Sequence, residues 1–187
     1  MQCPYCLSPL TPTAAECPSC RLTFPRTSVL TGAIPRLLPC VADTTSLLSH
    51  SSQASLKKRI LKIQRRFPQL ILQVVVHRFP ADHPFGMHAF WLFNAGNFAG
   101  HSRRGKDNHS ILITLDPSRA EAAISLGYGL ESFLNPESLD AILDLASPAW
   151  LKANWADGLK IVLENLESLM ESSATPDISA PTHASEF

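Results

Sequence analysis

The sequence predicts an α/β protein, a three-layer α/β/α sandwich around a mixed central sheet, with a small metal-stapled module ahead of it. Three observations predict this. Two Cys-x-x-Cys pairs crowd into residues 3 to 20. Amphipathic helical stretches then alternate with short apolar runs, the pattern of a sheet covered on both faces. Two of those runs flank "DPSR", a turn short enough to make that pair of strands antiparallel.

A chain of 187 residues, 45% hydrophobic and 17% charged, has room for one ordinary core plus an appendage. No apolar run approaches the roughly 18 residues needed to span a bilayer, so no membrane is expected. The opening "MQCPYC" lacks the basic segment and apolar stretch of a secretory signal, so a cytoplasmic location is expected. Cysteines stay reduced there, and close pairs read as metal ligands. The net charge is zero but divided: residues 1 to 66 hold nine Lys/Arg against two acids, and residues 67 to 187 hold seven against fourteen. This balance argues against nucleic acid as a partner.

"CPYC" and "CPSC" place Cys3, Cys6, Cys17 and Cys20 as two knuckles that can present four sulfurs tetrahedrally. The pattern resembles a zinc ribbon over residues 1–24. Iron in a rubredoxin-like site is the chemical alternative, although rubredoxin knuckles usually stand further apart. A closed four-thiolate site has no open coordination position and is structural. Cys40, the fifth cysteine, stands alone and reads as a small apolar residue.

Residues 25–40 read as a linker, because three prolines punctuate Phe24 to Pro39 without helical period. The main domain is expected over residues 41–171. "SQASLKKRILKIQRRFP" sets Leu56, Ile60, Ile63 and Phe67 on one helix face with Lys and Arg around the rest. "LILQVVV" reads as a strand buried on both faces, and "FGMHAFWLFNAGNF" as a largely buried helix. After the polar loop "AGHSRRGKDNH", "SILITL" and "AEAAISL" form the hairpin. Asn135-Pro136 and Ser147-Pro148 each read as an N-cap followed by proline at the first helical position. The second of those helices carries a stripe of Leu151, Trp155, Leu159, Val162, Leu166 and Met170. Residues 172–187, rich in Ser, Thr, Ala and Pro, read as a disordered tail.

"LGYGLESFL" raises the question of a phosphate cradle. A dinucleotide fingerprint would need a third glycine where Ser132 stands, so the stretch reads as a turn whose glycines permit φ > 0. Five of the seven histidines lie between His77 and His109, but His83 and His88 are five apart and no His-Glu-x-x-His occurs, so no histidine metal site is expected.

Four segments, "VADTTSLLS", "GKDNHSILITL", "LGYGLESFLN" and "SPAWLKANWADGLKIVLENL", together resemble the TPM domain family over about residues 41 to 170. Gly127, Gly129, Leu130 and Glu131 match its most recognisable signature. The resemblance implies an α/β/α sandwich whose loops gather polar groups at one end. Some members are described as acid phosphatases, some bind divalent cations, and many act through protein partners. Carried over residue by residue, it points to Asp43, Asp107, Asn108 and Glu131, with Asn135 where relatives often have Asp, as a site for Ca or Mg. Each has a structural alternative: Asp43 caps a helix, Asp107 and Asn108 satisfy a turn, Asn135 caps, and Glu131 is solvated.

Two functional expectations follow. The first is a non-catalytic, zinc-binding scaffold with a protein partner. The second is a divalent-metal-dependent phosphomonoester hydrolase with Asp43, Asp107 and Glu131 holding the cation.

Overall fold

A computed structural model describes residues 2–11, 13–35, 37–96 and 108–174. The chain runs through helix α1 (Phe24–Thr31), strand β1 (Val41–Asp43), α2 (His50–Arg66), β2 (Ile71–Val76), α3 (Phe85–Ala95), β3 (Ser110–Asp116), β4 (Glu121–Leu126), α4 (Pro136–Trp150) and α5 (Trp155–Ala174). The four strands form one sheet in the order β1-β2-β3-β4. The β1-β2 and β2-β3 pairs are parallel, and β3-β4 is antiparallel. The mixed sheet and the α/β fold class stand as expected.

Alternation of side chains along the strands builds two cores. Leu72, Val74 and Val76 of β2 and Ile111, Ile113 and Leu115 of β3 face Leu56, Ile60 and Ile63 of α2 and the apolar stripes of α4 and α5. Val75 and Leu112 face the other way, onto Ala42 and Leu92 of α3. Leu159, Val162, Leu163 and Leu166 of α5 are wholly buried, each burial contributing about 1.5–3 kcal/mol. Gln64 ties the first layer to the sheet, its Oε1 accepting from the Leu72 amide at 2.9 Å. The basic helix α2 is also held by charge: Arg59 pairs with Glu167 at 2.6 Å and Arg66 with Glu171 at 2.6 Å, both on α5.

Both parallel crossovers step in the same direction across the sheet, yet α2 covers one face and α3 the other. Two right-handed crossovers would put both helices on one face, so one of the two is left-handed.

Three local expectations are corrected. The linker expected over residues 25–40 begins as a helix: Thr23 caps α1, its hydroxyl accepting from Arg26 N–H, and Pro25 sits in the first turn, where its missing N–H costs nothing. Ser147-Pro148 does not start a helix, because Pro148 lies in the last turn of α4 and the chain reverses at Ala153 (φ 58°) before α5. Leu151 is consequently 75% exposed and leaves the apolar stripe. Helix α5 continues through Ala174, past the expected start of the tail, and residues 175–187 lie outside the described residues. No helix among the described residues is long and apolar enough to cross a membrane.

Candidate functional site

The two cysteine knuckles repeat one local geometry. The Leu7 amide donates to the Cys3 carbonyl at 3.0 Å and the Cys3 amide to the Ser8 carbonyl at 2.9 Å; Arg21 to Cys17 (2.8 Å) and Cys17 to Leu22 (2.9 Å) reproduce the pattern. Leu7 and Arg21, each one past the second cysteine of its pair, take left-handed φ values of 61° and 57°. Each such turn costs about 1–2 kcal/mol in a non-glycine residue, which a bound ion offsets.

The sulfurs converge. Cys3 and Cys20 are 3.7 Å apart, as are Cys6 and Cys17, and all four lie within 4.8 Å of one another. A tetrahedral ion with about 2.3 Å bonds separates its sulfurs by about 3.8 Å, whereas a disulfide needs about 2.05 Å, so the residues fit a metal. It is the one group of three or more such ligands among the described residues. The hydroxyl and amide of Ser8 lower the Cys6 thiol to about 6, while burial pushes Cys20 up to about 12. A bound metal ion would draw the protons off all four thiols, so binding should release protons.

The cysteine module does not hang from a tether. Met87 of α3 is fully buried against Cys3, Cys17 and Leu22, and Phe24 of α1 packs on Trp91 of α3 with ring centroids 5.3 Å apart.

The five residues of the acidic constellation fall at different places. Asp107 lies outside the described residues. Asp43, at the end of β1, is level with Val76 and Leu115, whereas Asn108 precedes the start of β3. At about 3.3 Å per residue this sets them roughly 20 Å apart, at opposite ends of the sheet. Both carboxylate oxygens of Asp43 are engaged, Oδ1 accepting from the Thr45 amide (2.8 Å) and hydroxyl (2.6 Å) and Oδ2 from the Leu48 amide (2.8 Å). It shapes the turn into α2. Asn135 caps α4, accepting from the Ser138 amide at 2.7 Å.

Asn108, Glu131 and Asn135 share the other end. Asn108 adopts φ 59°, and its carbonyl presses on Gly127, where a Cβ would lie 1.9 Å from that oxygen. Gly127 has φ −77°, and Gly32 holds the one positive φ among the described glycines. The expectation of glycines chosen for φ > 0 is therefore corrected: Gly127 is small because another backbone passes it. Glu131 follows, exposed, as the single carboxylate among those three residues.

Sequence reasoning missed the polar cluster at the carboxyl ends of the strands. Asp116 is wholly buried and accepts from the amides of Ser118 (2.9 Å) and Phe79 (3.2 Å), with Arg119 Nε 3.4 Å away. Arg119 in turn donates to the His83 carbonyl at 3.1 Å. Thr44 Oγ1 and His77 Nδ1 are 2.7 Å apart, joining the loops that follow β1 and β2. His88, 2% exposed, stacks on Phe79 at 5.0 Å. Burial lowers the pKa of both His77 and His88, Asp116 opposing it and Arg119 adding to it at His88. His83 and His88 do come together, 6.3 Å between ring centroids, because Pro84 starts α3 after His83 and frees that residue from the helical spacing. The signal available in the sequence was Asp-Pro-Ser, whose aspartate was read as a turn residue alone.

Compared with known proteins, residues 41–169 match the TPM domain family, whose model carries the label TPM phosphatase. No curated protein matches the chain. Three solution structures share the fold. The N-terminal domain of a protein from P. gingivalis is 22% identical, with a TM-score of 0.57, over 71% of this chain and 82% of that one. The N-terminal domain of the cg2496 protein from Corynebacterium glutamicum is 19% identical, TM-score 0.52, over 84% and 99%. The BA42 protein from Bizionia argentinensis is 12% identical, TM-score 0.55, over 70% and 86%.

Proposed function

Because this chain belongs to the TPM domain family, we propose that it acts as a cytoplasmic, zinc-binding interaction module whose sandwich and ribbon together dock a protein partner. The observation that carries this reading is the seat of the cysteine module on α3, where Met87 closes the knuckle core. A closed four-sulfur ion serves shape and not turnover. Zinc is the ion proposed, since four compact thiolates and tetrahedral geometry suit it. Metal analysis of the purified protein tests that choice against iron. A native pull-down with the full chain and with residues 1–24 deleted tests the module: the partner should be retained by the first and lost by the second. Recovery of the full chain alone under gentle conditions would refute it.

The second reading is a phosphomonoester hydrolase dependent on Ca or Mg. The family label and the solvent-facing Glu131, at the same end of the sheet as Asn108, favour it, with Asp107 as the further ligand. It cannot use Asp43 on the same ion, given the separation along the sheet. Cation-dependent release from an aryl phosphate that is abolished in Glu131→Ala and Asp107→Ala would replace the first reading with this one.

A further inference from the structure

The two edges of the sheet are unequal. β1 offers three residues, and the turn shaped by Asp43 closes it. β4 offers six, contains no proline or lysine, and continues in regular register with β3 from Glu121 to Leu126. A strand edge of that length is ordinarily shortened, charged or covered.

The hydrogen-bond phase of β4 follows from one contact. The Gly127 amide donates to the Ser110 carbonyl at 2.8 Å, so antiparallel alternation directs Ser125, Ala123 and Glu121 toward β3. Ala122, Ile124 and Leu126 direct their N–H and C=O groups outward, and none of them has a backbone partner among the described residues.

A groove flanks this edge on each face. On the side of α4, one of about 480 Å³ has Ile124, Leu126, Leu134 and Leu139 in its walls and Glu131 and Asp140 among its lining residues, with no Lys or Arg among the described residues that line it. On the side of α3, one of about 390 Å³ is lined by Ala89, Phe90, Phe93 and Ser125 and includes Gln2 of the cysteine module; Glu131 borders both grooves, whereas Asp140 lines the first and the Phe90 and Phe93 rings the second. Successive side chains of an added strand would enter the two grooves in turn. The first suits the aliphatic stem and cationic head of Lys or Arg, and the second an apolar side chain.

We propose that the open edge of β4 is a strand-addition site for an extended segment of a partner protein that alternates basic and apolar side chains. The proposal rests on the interaction-module reading and names the chemistry of its partner. A second copy of this chain is the disfavoured occupant, because pairing β4 with β4 would bring two sets of Glu121, Glu131 and Asp140 together.

The test uses the isotope-labelled full chain and two capped octapeptides, one alternating Val with Lys and the other Val with Glu, followed by amide hydrogen exchange. With the Val-Lys peptide, the amides of Ala122, Ile124 and Leu126 should gain at least about tenfold protection, while those of Ala123 and Ser125, already bonded to β3, should not. The Val-Glu peptide should bind at least about tenfold more weakly. Glu131→Lys with Asp140→Lys, both at exposed positions, should reverse the preference. Ile124→Pro, which removes an outward N–H, should abolish protection while the β3-facing amides report whether the sheet is intact. Unchanged amides at millimolar Val-Lys peptide, or equal binding of both peptides, would overturn the proposal. So would outward amides already protected in a peptide-free dimer, which would assign the edge to a second copy. A pull-down partner retained by Ile124→Pro would leave the interaction module standing and remove this site from it.

Discussion

Gly127→Ala isolates what the glycine signature does. An added Cβ would sit 1.9 Å from the Asn108 carbonyl oxygen and 2.8 Å from its carbon. The shortest ordinary carbon-to-oxygen approach is about 3.3 Å, so the backbones must part by roughly 1.4 Å. The obstacle is main chain and cannot turn aside as a side chain would. The Gly127 amide is bonded to Ser110 at the mouth of the hairpin, so parting the backbones also strains the last rung of β3-β4. Overpacking of this kind costs about 1–3 kcal/mol and sometimes more, and a rigid obstacle puts it near 3. At about 2–4 °C per kcal/mol for a chain of this size, the midpoint should fall by about 6–12 °C. Gly32→Ala is the control. Gly32 has φ 73° and ψ −151° with nothing within 4 Å, a backbone region that is nearly glycine's alone, so alanine there meets a conformational penalty of about 1–3 kcal/mol without any close contact, a loss of about 2–12 °C. Calorimetry and urea unfolding of both variants decide the point. A Gly127→Ala protein melting within about 2 °C of the parent would refute the close approach.

Three further outcomes are expected. Replacing Cys17 by Ser, or adding a strong chelator, should melt the knuckle core and release Met87 and Phe24, read as lost amide protection in residues 2–35; metal affinity should rise from pH 6 to 8 as the thiols lose their protons. Asp116→Ala should cost about 3 kcal/mol or more in urea unfolding, because it leaves the Phe79 and Ser118 amides and Arg119 without their buried acceptor. The depressed pKa values of His77 and His88 mean that below about 6.5 the unfolded chain takes up protons that the folded chain resists. Stability should be full above that pH and decline as pH falls through the lowered folded values, and His88→Phe should flatten the decline.

Most of the longer elements are legible in the sequence because their signals are local, whereas α1 and the three-residue β1 are not. Leu56, Ile60 and Ile63 recur at helical spacing and are all wholly buried, and Asn135 caps α4 as its side chain and the following proline predict. The cysteine cluster was equally legible, since spacing alone brings each pair together. Prolines misled twice for one reason: Pro25 and Pro148 were read as boundaries, whereas a proline in the first turn favours a helix and one in the last turn only hastens its end.

Positions along the sheet were not legible, because register and crossover hand are long-range properties. Asp43 and Asn108 each stand next to a strand, and the sequence does not say that one follows its strand and the other precedes it in parallel neighbours. Once the register is fixed, β1-β2-β3 point the same way and the two residues must lie at opposite ends. The same geometry explains Asp116. It stands where β3 ends, level with the loops after β1 and β2, and its buried carboxylate gathers Phe79, Ser118 and Arg119 there. The better-connected acid thus shares the end of the sheet with Asp43 but is not among the residues that the family resemblance points to, and its partners are amides and a guanidinium, which fix loops. Glu131 is exposed at the opposite end beside the β4 edge. An exposed carboxylate next to an unpaired strand offers charge to an approaching chain at little desolvation cost, whereas alone it gives a hard cation too few oxygens.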